Sequence, residues 1–434
     1  MSDFDVLVRS EQDIGVSEGK IVALGRNLAG SATSEIDAHQ FTIFPGVIDS
    51  HVHFNEPGRT EWEGFATGTR AAAAGGITMI FEMPLNAHPP TIDGAAFDAK
   101  RAAAEAQSMV DFGLWGGLVP GNLDQLTTLR DRGVVGIKAF MCNSGIDDFP
   151  AVDSETLRAG MQRAAELDLL VAVHAESEEM TSKLTGAARM AGKNSVRDYV
   201  DSRPIEAELD AIHRAIDLAA ETGCRLHIVH VSCGRAVALV AAARAEGVDV
   251  TCETCPHYLV LTESDMEQLG AVAKCAPPLR SPDEQRGMRE ALRDVNTIGS
   301  DHSPSPLEMK QGDDFFDVWG GISGCQHLLP LLIDAGISQA EIERLASRDV
   351  ASRFRISSKG PIEVSRDADF TLVDVNAEEV VRPESLFYRH KQSPYVARTL
   401  RARVRQTFLR GQSIFQNGRF ADRPTGRLIT PDNS

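Results

Sequence analysis

Eight short apolar runs recur along the middle of this chain, separated by Ala-rich stretches with helical spacing, and that alternation narrows the fold more than any other feature. The strand-like runs fall near residues 44–54, 77–83, 111–117, 134–140, 169–174, 225–230, 248–254 and 296–301. Between them lie helical stretches such as FATGTRAAAAGG (65–76), FDAKRAAAEAQSMV (97–110) and PIEAELDAIHRAIDLAAETG (204–223). In the last of these, Leu209, Ile212, Ile216 and Ala219 recur at the spacing of one helical face, which would pack on a sheet. Repeated strand–helix units predict a parallel sheet, and eight of them close into a barrel. The two ends have a different texture. FDVLV and KIVALG at the start, and PIEVS, DADFTLVDV and VRQTFLRGQSIF with an Asn417-Gly418 turn at the tail, read as short strands and turns. The predicted class is α/β: a (β/α)8 TIM-type barrel over residues 46–355, with a small β-sandwich domain assembled discontinuously from 1–45 and 356–434. A length of 434 residues suits that plan.

Composition removes several functions. The formal charge of −18 repels phosphate backbones and anionic lipid, and no Lys/Arg-rich run offsets it, so neither nucleic acid nor membrane is expected as a partner. The start, MSDFDVLVRS, has neither a basic opening nor an apolar signal core, and a cytoplasmic location is expected. Seven cysteines, an odd number scattered along the chain, read as reduced thiols. The Cys252/Cys255 pair has no second pair at zinc-ribbon spacing. Gly75-Gly76 and Gly320-Gly321 sit in no phosphate-binding motif, and the G-x-S-x-G text at Gly15–Gly19 falls in the SEGK turn between two strand-like runs, not at the strand-to-helix elbow of a serine hydrolase.

The residues with chemistry gather at strand ends. His51 and His53 finish the run FTIFPGVIDS, and on a strand residues i and i+2 project to the same face, so both imidazoles would enter the barrel mouth together. Lys138, His174, His230 and Asp301 each lie at or within a residue or two of the C-terminal end of a different predicted strand, the end at which barrel active sites are built. His227, alone on its strand, reads as a satisfied core histidine. Neutral imidazoles and carboxylates are ordinary ligands for Zn²⁺ and similar ions, and two such ions can share a hydroxide that attacks a carbonyl near neutral pH. A lysine at position 138 fits if it is desolvated, because a neutral amine adds CO₂ to form a carbamate with two oxygens. From position alone, a surface or ion-paired lysine is the equal alternative. Asp301 opens DHSPSP, where Pro304 and Pro306 disfavour a helix. Its carboxylate is the candidate catalytic group that accepts a proton from water and passes it to a leaving nitrogen.

With these residues assembled, the chain resembles the cyclic amidohydrolases: dihydroorotases, hydantoinases or dihydropyrimidinases, and allantoinases. The resemblance runs from FPGVIDSHVHFNEPG through MIFEMPLN, GIKAFM, VHAE, HIVHVS, CETCPHYL, CAPPLR and GSDHSP to DADFTLVD. It implies a pair of divalent metal ions, zinc or else Mn, Co or Fe. His51, His53 and Asp301 would hold the first and His174 and His230 the second, with an N-carboxylated Lys138 as the bridge. Within the family, NEPGRTEWEGF, KAFMCNSGIDDFP and WGGISG are most similar to the allantoinase branch. Asn55 stands where dihydroorotases usually carry an Arg that clasps the substrate carboxylate, and Asn143 where hydantoinases usually carry a Tyr. The implied reaction is hydrolysis of the cyclic amide of (S)-allantoin to allantoate through a metal-bridging hydroxide. By family position the implied substrate contacts are Asn86, Asn143 and the backbone at Ala276 and near His327. The implied partners are a cyclic ureide and further copies of the chain, in a homo-oligomer such as the tetramer common in the family. Two alternatives remain: a hydantoinase or dihydropyrimidinase acting on another cyclic ureide, and a non-catalytic scaffold.

Overall fold

The structure is a computed structural model and describes residues 3–432. Its centre is the barrel. Eight parallel strands follow one another as Val47–Val52, Ile77–Glu82, Asp111–Leu114, Ile137–Phe140, Leu170–His174, Arg225–Ile228, Val250–Thr254 and Thr297–Ile298. The first three form one continuous ladder, and the last five, with Gly116–Gly117, form another. The Trp115 N–H extends the first ladder by donating to the Glu82 carbonyl (3.0 Å), and the Val135 N–H joins the two ladders by donating to the Leu114 carbonyl (2.9 Å). On the far side the His53 N–H donates to the His302 carbonyl at 2.8 Å and the Ser300 N–H to Asp49 Oδ1 at 2.8 Å, which closes the eighth strand on the first.

The strands are apolar on both faces because one face fills the barrel and the other meets the helices. Val47–Val52 and Ile77–Glu82 are buried at every position. The helix Ile205–Thr222 turns Ala211, Ile212, Ala215, Ile216 and Ala219 inward and stops at Gly223, whose φ of 69° provides a left-handed cap. Phe65–Ala74 buries a run of alanines whose small side chains allow close approach to the barrel. The stretch expected to be helical over 97–110 is instead Gly94–Gln107. Asp93 caps it by accepting from the Ala96 N–H, and Ser108 leaves it in an extended conformation.

Both ends of the chain build β structure. Phe4–Arg9, Asp13–Ser17, Lys20–Gly25 and Ala32–Asp37 make a four-stranded sheet. Thr42–Pro45, from the N-terminal part, pairs antiparallel with Phe370–Asp374 in a five-stranded sheet otherwise drawn from the tail. Val8, Ile14, Val16 and Ile21 share a core with Phe370, Leu372 and Phe408, and Phe370 stacks on Phe408 with ring centroids 4.6 Å apart. Among the described residues, no helix is long and apolar enough to cross a membrane. All seven cysteines are unpaired and buried.

The β unit is tied to the barrel by charge. Lys359 Nζ, 1% exposed, lies 2.6 Å from Asp111 Oδ2 at the start of the third strand, 2.8 Å from Asp367 Oδ2 and 2.6 Å from Asp369 Oδ2. Arg410 also pairs with Asp111. Lys359→Met would leave three carboxylates crowded with one fewer cation, a loss of about 3–5 kcal/mol by comparison with other buried pairs broken on one side. The expected result is a clearly lower urea midpoint with the metal content at the barrel mouth unchanged. An unaltered midpoint would refute the role given to this cluster.

Candidate metal centre

The first strand delivers His51 and His53 to the mouth with ring centroids 5.3 Å apart. Each ring has one nitrogen committed. His51 Nδ1–H donates to Glu253 Oε1 at 2.8 Å, and His53 Nδ1–H donates to the Leu85 carbonyl at 3.0 Å. Both Nε2 atoms are thereby left free as lone pairs, and they lie 3.3 and 3.5 Å from Asp301 Oδ1. The three ligand atoms sit within 4.8 Å of one another, an arrangement that can hold one cation.

The fifth and sixth strands supply a second pair. His174 Nε2–H donates to Glu176 Oε2 at 2.8 Å, which turns Nδ1 toward His230 Nε2 at 3.1 Å. Two lone pairs that close need a proton or a cation between them. The second nitrogen of His230 is buried without a partner among the described residues. Burial pushes the imidazoles of His51 and His174 below their ordinary pKa and that of His230 well below it, so they stay neutral, the form that ligates metal.

Lys138 is fully buried, and its Nζ has no hydrogen-bond partner among the described residues. Burial pushes its pKa down to about 7, against the opposing pull of Asp301 and Glu253. A neutral amine among imidazoles and carboxylates fits N-carboxylation far better than a structural ammonium, which would need acceptors. Asp301 goes the other way. Burial raises its pKa, but His51 and His53 bring it down to about 2, so it is ionised. The backbone is unusual at two of these residues: φ is 40° at His230 and 46° at Asp301, the sparsely populated left-handed region for residues with a β-carbon. His230 lies two residues and Asp301 three residues beyond the end of its strand, where the chain turns away from the sheet.

The expected substrate residues are placed less uniformly. Asn86 is buried one residue after the Leu85 carbonyl that holds His53, and its own carbonyl accepts from Arg59 Nη1 at 2.6 Å. Asn143 is exposed, with its N–H on Glu178 Oε2 at 2.6 Å and its Oδ1 accepting from the Gly145 N–H at 2.8 Å. Ala276 is half-buried between two engaged carbonyls: Tyr199 OH donates to that of Cys275 (2.9 Å) and Tyr258 OH to that of Pro277 (2.7 Å). His327 stands apart, 3.4 Å from Tyr388 OH and beside Tyr395, lining a cavity of about 150 Å³ with Pro330, Phe387 and Val404. His227 is a core histidine, 2.7 Å from Thr251 Oγ1.

Sequence reasoning missed Glu253 and Glu176. Ser50 Oγ donates to Glu253 at 2.5 Å while His51 occupies its other oxygen, and Arg203 pairs with Glu176 at 2.5 Å. Burial raises both carboxyls, but their cationic and hydrogen-bonding neighbours hold Glu253 well below the usual carboxylate range and Glu176 at about 2. The signal for Glu176 was present: it lies two residues after His174, on the same side of the chain.

Residues 42–414 match the sequence profile of the Amidohydrolase family. The chain belongs to the amidohydrolase family. This amidohydrolase is 54% identical to an allantoinase of Rubrobacter xylanophilus, over 99% of this chain and 98% of that one. It is 53% identical to an allantoinase of Solibacter usitatus, over 96% and 93%. Among solved structures it resembles an L-hydantoinase (dihydropyrimidinase) from Arthrobacter aurescens with a TM-score of 0.95 and 33% identity, covering 98% of this chain and 100% of that one.

If Glu253 fixes the tautomer and angle of His51, Glu253→Gln should weaken metal retention by about 10–100-fold, as loss of such a partner does at other metal sites. Metal content after equilibration at fixed free Zn²⁺ measures this, and full retention would overturn it.

Proposed function

We propose that this amidohydrolase hydrolyses the cyclic amide of (S)-allantoin to allantoate. The observation that carries the reading is the convergence at one barrel mouth of the His51–His53–Asp301 cluster, the His174–His230 pair and the partnerless Lys138 amine. The allantoinase relatives, 42–54% identical over nearly the whole chain, support the choice of ring.

Two divalent ions, zinc or else Mn, Co or Fe, held by His51, His53 and Asp301 on one side and His174 and His230 on the other, with N-carboxylated Lys138 between, would supply Lewis acidity and an acidified water. The protein's own part is positioning and proton transfer. Ionised Asp301, already directed at His51 and His53, accepts a proton from the attacking water and returns it to the ring nitrogen as the C–N bond breaks. Asn86, Asn143 and the backbone at Ala276 are the ring and tail contacts in this reading. The backbone near His327 is the remaining contact in this reading, the His327 ring itself lying 3.4 Å from Tyr388 OH and beside Tyr395. Asn55, buried where an anionic substrate would require a cation, suits a ring without a carboxylate. The working protein is a cytoplasmic homo-oligomer.

A second reading, a hydantoinase or dihydropyrimidinase, is favoured by the close superposition on the L-hydantoinase. Initial rates of ring opening by metal-loaded protein in bicarbonate, on allantoin, hydantoin, dihydrouracil and dihydroorotate, separate the two. Preference for allantoin, abolished by chelation, is expected; preference for another ring would transfer the assignment to it. Asp301→Asn should lower kcat by about 10²–10⁴-fold, and full activity would remove the proton-transfer role. Labelling with ¹³C-bicarbonate should give a carbamate signal that is absent in Lys138→Ala, and no signal in the unsubstituted protein would refute carboxylation.

A further inference from the structure

Trp319 opens the WGGISG run in the segment that follows the eighth strand. In an eight-stranded barrel the fourth and eighth strands stand on opposite sides of the mouth. Yet a β-carbon on Gly145, in the segment after the fourth strand, would lie 3.9 Å from Cζ3 of this indole. The ring also meets Trp62, from the segment after the first strand, edge-on at 4.9 Å between centroids. It packs against the apolar cluster that includes Leu85, Phe140, Ile146 and Phe149. Phe140 in turn stacks on His174 at 4.6 Å and lies 5.1 Å from Lys138 Nζ. A side chain rooted beside the eighth strand that touches the segments after the first and fourth must cross the mouth, over the metal centre.

The backbone that carries Trp319 is clamped on both sides. Its own N–H donates to the Met309 carbonyl at 2.7 Å, and the Gly321 N–H donates to the Lys274 carbonyl at 2.7 Å. Lys274 Nζ donates to the carbonyls of Phe315 and Val318, each at 2.6 Å. An indole held this firmly is preorganised, and its one polar group is unanswered: Nε1–H is buried with no acceptor among the described residues. A buried donor without an acceptor is destabilising, and a ligand that brings an acceptor relieves it.

We propose that Trp319 is a specificity-determining residue that roofs the substrate pocket and donates its indole N–H to a carbonyl carried outside the substrate ring. The assignment rests on the reading of function above. Allantoin carries a ureido tail whose carbonyl is such an acceptor, whereas unsubstituted hydantoin has only the ring. The rest of the indole offers an apolar face to either ligand, so only the tailed one should respond to loss of the N–H.

Trp319→Phe keeps an aromatic roof and removes the donor. With metal-loaded full-length protein in bicarbonate, kcat/KM for allantoin and the inhibition constant of hydantoin against allantoin are measured in the unsubstituted protein and the variant. About a tenfold loss of kcat/KM on allantoin is expected, corresponding to one hydrogen bond, with the hydantoin constant within about twofold. An unchanged kcat/KM, or equal losses for the two ligands, overturns the assignment while leaving the allantoin reading in place. Failure of the unsubstituted protein to open allantoin overturns both. A second measurement needs no variant. Allantoate, at concentrations that inhibit turnover, should shift the tryptophan emission of the metal-loaded protein. Two of its three tryptophans, Trp62 and Trp319, meet at the mouth. An unmoved spectrum under that inhibition also overturns the proposal.

Discussion

The hydrogen bonds that close the eighth strand on the first are the constraint on which the rest of the mouth depends. His53 N–H to the His302 carbonyl and Ser300 N–H to Asp49 Oδ1 bracket Asp301 in the chain, and they hold its carboxylate against two imidazoles that are some 250 residues away in sequence. No local preference could bring these groups together. The closing strand is short, Thr297–Ile298, and the chain leaves it through a left-handed turn at Asp301. The side chain faces the barrel because closure holds the backbone on either side of that turn.

Burial then sets the chemistry. The same apolar packing that stabilises the barrel strips water from the groups at its mouth, and desolvation acts in opposite directions on bases and acids. Lys138 and the imidazoles of His51, His174 and His230 are pushed toward their neutral forms, whereas Asp301, facing His51 and His53, and Glu176 and Glu253, each with cationic or hydrogen-bonding neighbours, are held below the ordinary carboxylate range. The result is a set of neutral nitrogens and ionised oxygens, the protonation state that divalent cations require. The carboxylates behind His51 and His174 settle which nitrogen of each ring faces inward. The two histidines present different nitrogens, Nε2 and Nδ1, because one carboxylate comes from the seventh strand, two strands around the barrel, and the other sits two residues along the same chain.

Above this layer the segments after the first, second, fourth and eighth strands form a roof in which Arg59, Trp62, Trp319 and the Ile146–Phe149 stretch meet. The roof's side chains come from widely separated segments, so the pocket's shape can change without disturbing the imidazole and carboxylate cluster below it. At the opposite end, the Lys359 cluster anchors the β unit far from the mouth, where it supports the third strand.

The sequence by itself determined the strand–helix alternation, the approximate position of all eight barrel strands, the β texture of both termini and the six residues proposed as ligands. Strand periodicity and the C-terminal ends of parallel strands are local properties of the chain, and His51, His53, Lys138, His174, His230 and Asp301 all sit on them. Glu176 was legible by the same two-residue rule. Glu253, the Leu85 carbonyl and the placement of His327 were not, because each depends on which distant segment packs against it. The start of the helix at Gly94 was missed for a smaller reason, a capping aspartate hidden in a turn. Only the tertiary structure decided the tautomers, the depressed basicity of Lys138 and the meeting of Trp319 with Trp62 and the Gly145 segment. Desolvation and hydrogen-bond partnership are set by the whole shell of atoms around a group, and that shell is drawn from every part of the chain.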